Sequence, residues 1–383
     1  MASASAFVPV WDRAAEWERR LAMVRGATRF LYLSTFYIEP DDYGLGMLDA
    51  LTEARTRGVY VDLLIDGFGQ RLGGVLMTPP ERARLDAAIA RLRAGGGIVS
   101  YYRPPRLTQR WLGGGQHVKI QVSDAGEALV GSSNLTRSSF TQWNECSVAV
   151  RGGIVPTVLA SYALIGGDVR HEDHAVLKIL AEADPGTLTV DYWCCNPNRH
   201  QGALGPLGWR GENRLTRQLC TAIDDARQSL SISSFYFKPV PALMEAVLRA
   251  ARRGVAVEVF HSHRDALPAT DLAWIAAAVS YPALLDAGVQ VYENRRGEHS
   301  KMVAIDDTWV ALGSYNFEDA AHDRLAEAML VTCEPAAVAH TGRLFAALRA
   351  APDNDRVTAE TVATWSPAVR RRVARLGHFK RWM

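Results

Sequence analysis

Apolar and polar residues alternate along this chain with the periods of strands and amphipathic helices, and the same order of elements occurs twice. Each half begins with an apolar run of strand length. A helix pattern follows, ends in Arg-Gly and leads into a β-branched strand, after which a second helix pattern and another strand appear. These elements occupy residues 31–38, 47–66 and 81–94 in the first half and residues 230–237, 243–262 and 271–286 in the second. The alternation predicts two α/β lobes, each with a mixed sheet flanked by helices.

Turn-forming residues between the two halves indicate where the lobes join. Glycine, proline and asparagine accumulate over residues 191–213, and both periodicities vanish there. We therefore expect a first lobe at residues 1–195 and a second at residues 196–383. The duplication predicts that the lobes pair around a pseudo-two-fold axis, with a shared site between them.

The most informative polar residues form a repeat near the end of each half. Residues 117–134 read HVKIQVSDAGEALVGSSN and residues 299–316 read HSKMVAIDDTWVALGSYN. Seven polar or glycine positions match without a gap at an offset of 182, and they include two of the chain's five lysines. The matched pairs are His117 and His299, Lys119 and Lys301, Asp124 and Asp306, Gly131 and Gly313, Ser132 and Ser314, Asn134 and Asn316, and Glu145 and Glu327. Composition alone does not produce such a match, so we expect both copies to serve one function.

The spacing within each copy suits the chemistry of a phosphate group. Successive side chains of a strand point to opposite faces, so His117 and Lys119 share a face, as do their counterparts in the second copy. An imidazole and an ammonium on one edge fit a phosphate oxyanion, and Asn134 or Asn316 adds a neutral donor. Two such sets facing each other would surround one phosphorus atom with a nucleophile, an acid and several donors.

Two histidines suit a displacement at a phosphodiester, because a neutral imidazole attacks while a protonated one releases the alcohol. Glu145 and Glu327 each lie 28 residues beyond a histidine, where each could accept an imidazole N–H and fix its tautomer. An ordinary ion pair remains the alternative for these glutamates. Asp124 and Asp306 end their strands and are better placed for turn or inter-strand hydrogen bonds than for direct chemistry.

The double motif, HxK followed by Asp and then Gly-Ser-x-Asn, resembles the phospholipase D superfamily. Residues 131–145, GSSNLTRSSFTQWNE, are similar to bacterial cardiolipin synthases and related phosphatidyltransferases, although the second copy departs at Ala320 and Ala326. The resemblance implies a duplicated phospholipase D-like fold and a covalent phosphohistidine, with no metal or other cofactor. It also implies that His117 is the nucleophile and His299 the acid and then the base, although the near-symmetry of the motifs allows the reverse assignment.

Composition narrows the setting of this chemistry. The net charge of +2 gives no general field for nucleic acid, so no nucleic-acid partner is expected. Five cysteines form no even disulfide framework, which favours a reducing compartment. No apolar run reaches the roughly 20 residues of a membrane span, and the first residues do not resemble a secretory signal. We expect a cytoplasmic protein, peripheral on the inner face of the membrane, whose oligomeric state the sequence leaves open.

Three further segments have two interpretations each. The loop before His117 carries Arg106, Arg110 and Trp111, which would select an anionic headgroup or belong to a plain solvated loop. The apolar loop at residues 71–80 would contact lipid or pack on its own protein. The basic and aromatic residues of 369–383 would bind an anionic membrane, or form a helix that docks on the second lobe.

Taken with the resemblance, these features predict a phosphatidyltransferase similar to cardiolipin synthases, which moves a phosphatidyl group from a phospholipid to an alcohol acceptor. The alternative among enzymes is a hydrolase of phospholipid or, with less support, of nucleic-acid phosphodiesters, since water can take the acceptor's place at the same site. The alternative outside enzymes is a catalytically silent scaffold or membrane-binding protein, against which two intact motifs argue. The histidines of HEDH (residues 171–174) and HSH (residues 261–263) have metal-ligand spacing but lack further ligands.

Overall fold

Two mixed β-sheets form the framework of the molecule. The computed structural model describes residues 2–200, 213–267, 270–377 and 379. Strands of the first half are β1 (Ala2–Ala4), β2 (Ala6–Val10), β3 (Phe30–Thr35), β4 (Tyr60–Asp66), β5 (Ile98–Tyr102), β6 (Gly115–Gln116), β7 (Lys119–Ser123), β8 (Glu127–Gly131), β9 (Ser147–Arg151) and β10 (Leu188–Cys195). Those of the second half are β11 (Ser229–Ser233), β12 (Ala256–Ser262), β13 (Gln290–Asn294), β14 (Met302–Ile305), β15 (Trp309–Gly313), β16 (Leu325–Thr332) and β17 (Asn354–Val357).

The helices lie between these strands in the order that the periodicity predicts. In the first half they are α1 (Arg13–Gly26), α2 (Asp42–Thr56), α3 (Gly67–Gly73), α4 (Pro79–Ala94), α5 (Leu107–Trp111), α6 (Val155–Leu164), α7 (His171–Ala183) and α8 (Pro197–His200). In the second half they are α9 (Arg214–Asp225), α10 (Pro241–Arg252), α11 (Leu272–Ala278), α12 (Tyr281–Asp286), α13 (Asp319–Asp323), α14 (Pro335–Ala350), α15 (Ala359–Ala363) and α16 (Pro367–Leu376).

The two sheets repeat one strand order, which confirms the predicted fold class. The first sheet runs β2-β9-β8-β7-β3-β4-β5, and the second contains β16-β15-β14-β11-β12-β13 in the matching order. In each, the three strands that alternate with helices are parallel and the motif hairpin is antiparallel. The motif strands β7 and β14 therefore occupy equivalent central places in the two sheets.

Local sequence sets where the helices begin and end. Thr78 and Glu81 form a capping box at the start of α4, with proline in its first turn. The helix expected at residues 271–286 is divided into α11 and α12, because Pro282 has no N–H for a continuous helix and instead lies in the first turn of α12.

The sheets share one central apolar cluster. Fully buried side chains of the first sheet, such as Tyr32 and Val148, belong to the same cluster as Phe260 and Leu330 of the second. Helices cover the other face of each sheet in two further clusters. Burial of each such side chain contributes about 1.5–3 kcal/mol, so the shared cluster holds the two sheets in a fixed arrangement.

Two strands that lie before the expected boundary at residue 195 belong to the second sheet. Strand β10 pairs along its length with β16 of the second sheet, and β1 pairs with β10. The second sheet is thus completed by strands from the first half of the chain. Residues 201–212, within the predicted join, lie outside the described residues.

The C-terminal basic segment packs against the second lobe as far as it is described. Val369, Val373 and Leu376 of α16 lie against that lobe's apolar cluster. Arg372 binds both carboxylate oxygens of Asp271 at 2.8 Å. Lys380, Arg381 and Trp382, which belong to the predicted membrane-binding tail, lie outside the described residues. Among the described residues, no helix is long and apolar enough to cross a bilayer.

Candidate active site

The two motif histidines lie where each half of the chain donates backbone hydrogen bonds to the other. The N–H of His117 donates to the carbonyl of Ala326 at 2.7 Å, and the N–H of His299 donates to the carbonyl of Asn144 at 2.9 Å. Each residue of the second contact is the repeat counterpart of a residue of the first, because His299 matches His117 and Asn144 matches Ala326 at the offset of 182. Such reciprocity is the property of a two-fold interface, so the predicted pseudo-two-fold relation passes between the histidines.

The carboxylates that orient the histidines also cross between the halves. Glu327 Oε1 accepts from His117 Nδ1 at 3.0 Å, and Glu145 Oε1 lies 2.8 Å from His299 Nδ1. Each glutamate thus faces the imidazole of the other copy. Both carboxylates are buried, so each pair lies away from solvent. With Nδ1 facing a carboxylate, the tautomer that leaves a lone pair on Nε2 is favoured in both rings.

An aromatic ring packs against each imidazole. The Phe36 and His117 ring centroids are 4.8 Å apart, and those of Phe235 and His299 are 4.6 Å apart, both in edge-to-face geometry. These phenylalanines follow strands β3 and β11, in STFY and SSFY. The sequence analysis did not assign them to the site, although their recurrence after equivalent strands was the available signal.

The motif lysines are buried behind the histidines. Lys119 Nζ donates to the His117 carbonyl at 2.8 Å, and Lys301 Nζ donates to the His299 carbonyl. Each ammonium also lies over a phenylalanine ring of its own half. Burial lowers the pKa of Lys119 well below its ordinary value and that of Lys301 to about 8. When protonated, the two lysines supply positive charge at the floor of the site.

Burial also lowers the pKa of both histidines, so both imidazoles are neutral near pH 7 before a ligand arrives. The pKa of His117 falls well below its ordinary value, and that of His299 falls to about 4. A phosphodiester carries negative charge, and its arrival would raise the pKa of an adjacent imidazole. The site is therefore suited to take up the proton of its acid together with an anionic ligand.

The pKa values of the two glutamates shift in opposite directions. Burial opposes ionisation of Glu145, but the nearby His299 and Lys301 outweigh it and hold its pKa at about 2. Burial of Glu327 prevails and raises its pKa well above the ordinary value. The imidazole of His299 consequently faces the carboxylate with the lower pKa.

The motif asparagines take different hydrogen bonds in the two halves. Asn316 Nδ2 donates to Glu318 Oε1 at 3.2 Å. Asn134 Nδ2 is buried without a partner, because Thr136 stands where the second half has Glu318. A buried donor without a partner costs about 1–3 kcal/mol, and a ligand oxygen at this position would satisfy it.

The motif serines close the hairpin ends. Ser132 Oγ accepts from the N–H of Cys146 at 2.9 Å, and Ser314 Oγ accepts from the N–H of Ala328 at 3.0 Å. Ser314 Oγ also donates to Glu327. In the first half, Ser139 Oγ donates to Glu145 at 2.7 Å instead. Both glutamates are therefore held by a hydroxyl.

The motif aspartates lie at the opposite end of the hairpin strands from the histidines. Asp124 accepts from the backbone N–H groups of Thr28 and Arg29. Asp306 accepts from three successive backbone N–H groups, those of residues 227–229. Asp124 thus ties its motif hairpin to the start of β3, and Asp306 ties its hairpin to the start of β11.

One side chain of the first half reaches the second histidine. The Trp143 ring lies 4.9 Å from the His299 ring, centroid to centroid, and Leu325 stands at the matching position of the other half. Gly297 has a φ of 118°, and a Cβ there would lie 2.2 Å from Trp143 Cδ1. The glycine thus leaves the room that the indole ring occupies. The sequence analysis did not assign Trp143 to the site, and the unmatched tryptophan gave no repeat signal.

The three predicted headgroup-binding residues lie on the loop before His117 and not among the residues that contact the histidines. Arg106 precedes helix α5, and Trp111 ends it with 90% of its surface exposed. Arg110 Nε donates to the carbonyl of Pro104 at 2.6 Å. They line a separate surface that begins a few residues before the motif.

A cavity of about 470 Å³ lies beside Trp143, the residue whose indole ring packs on His299. Its lining includes Tyr37, Glu39 and Trp143 together with Arg84 and Arg137. Burial and the neighbouring Asp41 raise the pKa of Glu39 to about 7. In the parts of the chain that the structure describes, no three His, Cys, Asp or Glu side chains are grouped closely enough to hold a metal ion.

Comparison with known proteins gives matches over both halves. The family described as "Cardiolipin synthase, PLD-like domain" matches residues 21–161 and again residues 219–349. Cardiolipin synthase B of Salmonella typhimurium is 30% identical over 322 residues, which are 80% of this chain and 71% of that protein. Cardiolipin synthase B of Escherichia coli is 29% identical over 303 residues, 75% of this chain and 67% of that protein.

Among solved structures, phosphatidylserine synthase of Haemophilus influenzae has the same fold. The TM-score is 0.71 at 15% sequence identity, over 98% of this chain and 94% of that chain. The two family matches each contain one copy of the repeat, which confirms the resemblance found in the sequence. The chain belongs to the cardiolipin synthase family of phospholipase D-like enzymes.

Proposed function

We propose that this protein transfers a phosphatidyl group from a phospholipid to an alcohol acceptor through a phosphohistidine on His117. The observation that carries the proposal is the crossed pair of His–Glu contacts, which places a carboxylate group against Nδ1 of both imidazoles. Among the described residues, no hydrogen bond engages Nε2 of either ring. One Nε2 is thus available to attack phosphorus and the other to move a proton.

In the first step, Nε2 of His117 forms a bond to phosphorus, and the bond from phosphorus to the headgroup oxygen breaks. His299 gives its proton to that oxygen, so the headgroup leaves as a neutral alcohol. In the second step, the acceptor hydroxyl gives its proton to His299 and its oxygen bonds to phosphorus as the phosphorus–nitrogen bond breaks. The enzyme returns to its starting protonation state.

The opposite pKa shifts of Glu145 and Glu327 support this assignment of roles to the two histidines. The anionic Glu145 faces His299, and it stabilises the imidazolium that donates the proton. His117 faces the carboxylate with the raised pKa, which stabilises an imidazolium less. This favours the neutral imidazole that a nucleophile requires. Lys119, Lys301 and the unpartnered amide of Asn134 supply donors for the phosphoryl oxygens.

The cavity lined by Tyr37, Glu39 and Trp143 supports transfer to an alcohol. Its volume of about 470 Å³ is in the range that holds a small organic ligand. A hydroxyl-bearing acceptor there would have Glu39 as a hydrogen-bond partner and the Trp143 ring as a surface. An acceptor held in this cavity, beside the indole ring that packs on His299, would compete with water through proximity.

A phospholipid donor with a p-nitrophenyl headgroup tests the intermediate, because nitrophenolate leaves without help from an acid. His299→Asn should release about one equivalent of nitrophenolate and then stall, with the phosphatidyl group attached to the protein in intact-mass spectra. His117→Asn should give neither burst nor adduct. An adduct in His117→Asn and none in His299→Asn would exchange the two roles, and no adduct in either would reject the covalent route.

Phosphatidylglycerol in vesicles tests the acceptor. We expect cardiolipin or another phosphatidyl-alcohol in excess of phosphatidic acid, as measured by lipid mass spectrometry. Phosphatidic acid as the main product across a range of alcohols would instead establish a hydrolase. We further propose that the protein works as a peripheral protein at the inner, anionic face of the cytoplasmic membrane, since its substrate would lie there.

A further inference from the structure

Exposed apolar side chains are concentrated in two short segments of the first half. These segments are residues 67–77, which contain α3, and residues 103–114, which contain α5; together we call them the docking loops. Of the eleven large apolar side chains exposed among the described residues, five lie there. They are Leu72, Val75, Leu76, Leu107 and Trp111, with exposed fractions of 55%, 68%, 59%, 70% and 90%. Single exposed apolar residues are ordinary, but such a concentration indicates an interaction surface.

A basic cavity of about 480 Å³ lies between the docking loops. Four arginines line it, with Asp86 as the only acidic residue among its described lining residues. Over the described parts of the chain, none of these arginines takes part in an ion pair. The four are Arg71, Arg82, Arg103 and Arg110. Several unpaired guanidinium groups in one concave site favour an anion with phosphate geometry.

The backbone holds three of these guanidinium groups in place. Arg110 Nε donates to the Pro104 carbonyl, and an Arg82 guanidinium nitrogen donates to the Gly74 carbonyl at 3.0 Å. Arg71 Nε donates to the Gly67 carbonyl at 3.3 Å. Two of these bonds lie within a docking loop, and the third ties helix α4 to the first loop, so the charges and the apolar side chains belong to one local structure.

Aromatic packing connects the cavity to the active site. The Phe68 ring lines the cavity and lies 6.5 Å from the Phe36 ring, centroid to centroid. Phe36 in turn packs on His117. Gly114, another lining residue, is only three residues before His117. A lipid surface at the docking loops would therefore lie next to the histidine pair.

The second half has no equivalent of the second docking loop. Residues 103–116 lead from strand β5 to His117, whereas residues 295–298 alone lead from strand β13 to His299. The short connection has no room for a helix such as α5. The duplication therefore explains the shared site but not the docking loops, which indicates that they serve a separate purpose.

We propose that the docking loops bind the surface of an anionic phospholipid membrane, with a lipid phosphate in the arginine-lined cavity and the five apolar side chains in the bilayer interface. Charge complementarity identifies the occupant, and the surrounding apolar side chains select a lipid surface over a water-soluble polyanion. The inference rests on the proposed function for its biological setting, but it is tested by binding alone.

Vesicle cosedimentation of the full chain carrying His117→Asn measures docking without turnover. Vesicles of phosphatidylcholine alone are compared with vesicles containing phosphatidylglycerol. The double variant Arg71→Gln and Arg103→Gln should weaken binding to the anionic vesicles more than tenfold, since each arginine near such a surface contributes about fivefold. Trp111→Ser should weaken binding to both vesicle types, because its effect does not depend on lipid charge.

Matched controls keep the test specific. Ile179→Ser removes an apolar side chain that is 65% exposed outside the docking loops, and Arg29→Gln removes an exposed arginine outside them. Both controls should bind as the parent does, and circular dichroism and melting temperature should show all variants folded. Unchanged binding in the docking-loop variants, or equal losses in the controls, would overturn the proposal.

Two further outcomes separate this inference from its alternatives. An oligonucleotide that displaces the vesicles at physiological salt, and whose binding needs the same arginines but not Trp111, would assign the cavity to nucleic acid. Failure of the nitrophenolate burst would reject the proposed chemistry while leaving the vesicle result intact. The two proposals can therefore fail separately.

Discussion

The two halves of the active site hold their histidines in the same way, yet the groups around the two imidazoles differ. In each half, a backbone carbonyl and a carboxylate from the other half position the ring. His299 additionally has Trp143 against it and an anionic Glu145, whereas His117 faces Glu327, whose pKa is raised. Duplication thus preserves geometry, while substitutions around each copy give two equivalent histidines different surroundings.

The asparagines show the same contrast. Asn316 is bound within the protein by Glu318, while Asn134 keeps a free buried amide. The difference coincides with Thr136, which stands two residues beyond Asn134 where the second half has Glu318. The amide group of Asn316 therefore already has a partner within the protein, whereas the amide group of Asn134 remains available to a ligand. Four substitution experiments probe how far this contrast extends.

The largest effect is expected at the histidines, where the halves should be equally indispensable. His117→Asn and His299→Asn should each lower kcat on phosphatidylglycerol by about 10³-fold or more, because one removes the nucleophile and the other the proton donor. Steady-state product formation measured by lipid mass spectrometry checks this. Near-normal turnover in either variant would show that the substituted histidine is not essential, and it would reject the paired-histidine mechanism.

The glutamates should separate the halves. Glu145→Gln removes a charged partner of the acid and should lower kcat by about 10²-fold. Glu327 has a raised pKa and so stabilises an adjacent imidazolium less, and the loss of kcat in Glu327→Gln should therefore be smaller. The two kcat values, measured with the same vesicles, give the comparison. Equal losses, or a greater loss for Glu327→Gln, would reject the assignment of roles.

The buried lysines predict a basic limb in the pH profile. Because Lys301 has a pKa of about 8, it loses its charge as pH rises through that value. We expect kcat/KM to fall about tenfold per pH unit above this limb. Lys301→Arg keeps its charge at every accessible pH, so the variant should be slower but should lack that limb. A limb that stays in place in the variant would assign it to another group.

The aspartates are expected to affect stability and not chemistry. Asp306→Ala removes an acceptor of three backbone N–H groups and should cost about 1 kcal/mol of the free energy of unfolding, as does loss of a helix cap. Asp124→Ala should behave similarly. Denaturant unfolding measures the loss, while kcat of the folded protein stays close to that of the parent.

The pH dependence of that loss sharpens the test. Although burial opposes it, the three N–H groups hold the pKa of Asp306 below its ordinary value. The carboxylate therefore stabilises the folded state above its unfolded pKa of about 4, and this contribution is lost as pH falls through the lower folded pKa. Parent and Asp306→Ala should converge in stability in acid. A difference independent of pH would point to the backbone conformation instead.

Sequence predicted the residues of the site better than their pairing. The offset of 182 identified His117, Lys119 and Glu145 with their partners, because identical chemistry requires identical side chains. It did not show that Glu145 serves His299, since that depends on how the sheets face each other. The Phe36 ring was within reach of the same argument, whereas Trp143 has no counterpart in the second half.

The fold followed a similar pattern. Strand and helix periods predicted both sheets and their flanking helices, because each element buries one face. Strand β10 lies before the expected boundary at residue 195 but pairs with β16 of the second sheet, because β10 has no local signal that tells which sheet it joins. The division of the helix at residues 271–286 follows from Pro282, whose effect the apolar pattern had obscured.

The crossed contacts of His117 and His299 have a consequence for ancestry. A protein with one copy of the repeat would lack the carbonyl and the carboxylate that each imidazole needs, and could build this site only as a symmetric homodimer. Gene fusion of two such copies would then add no contact. Its gain would be effective concentration, together with the freedom for each copy to mutate without its twin.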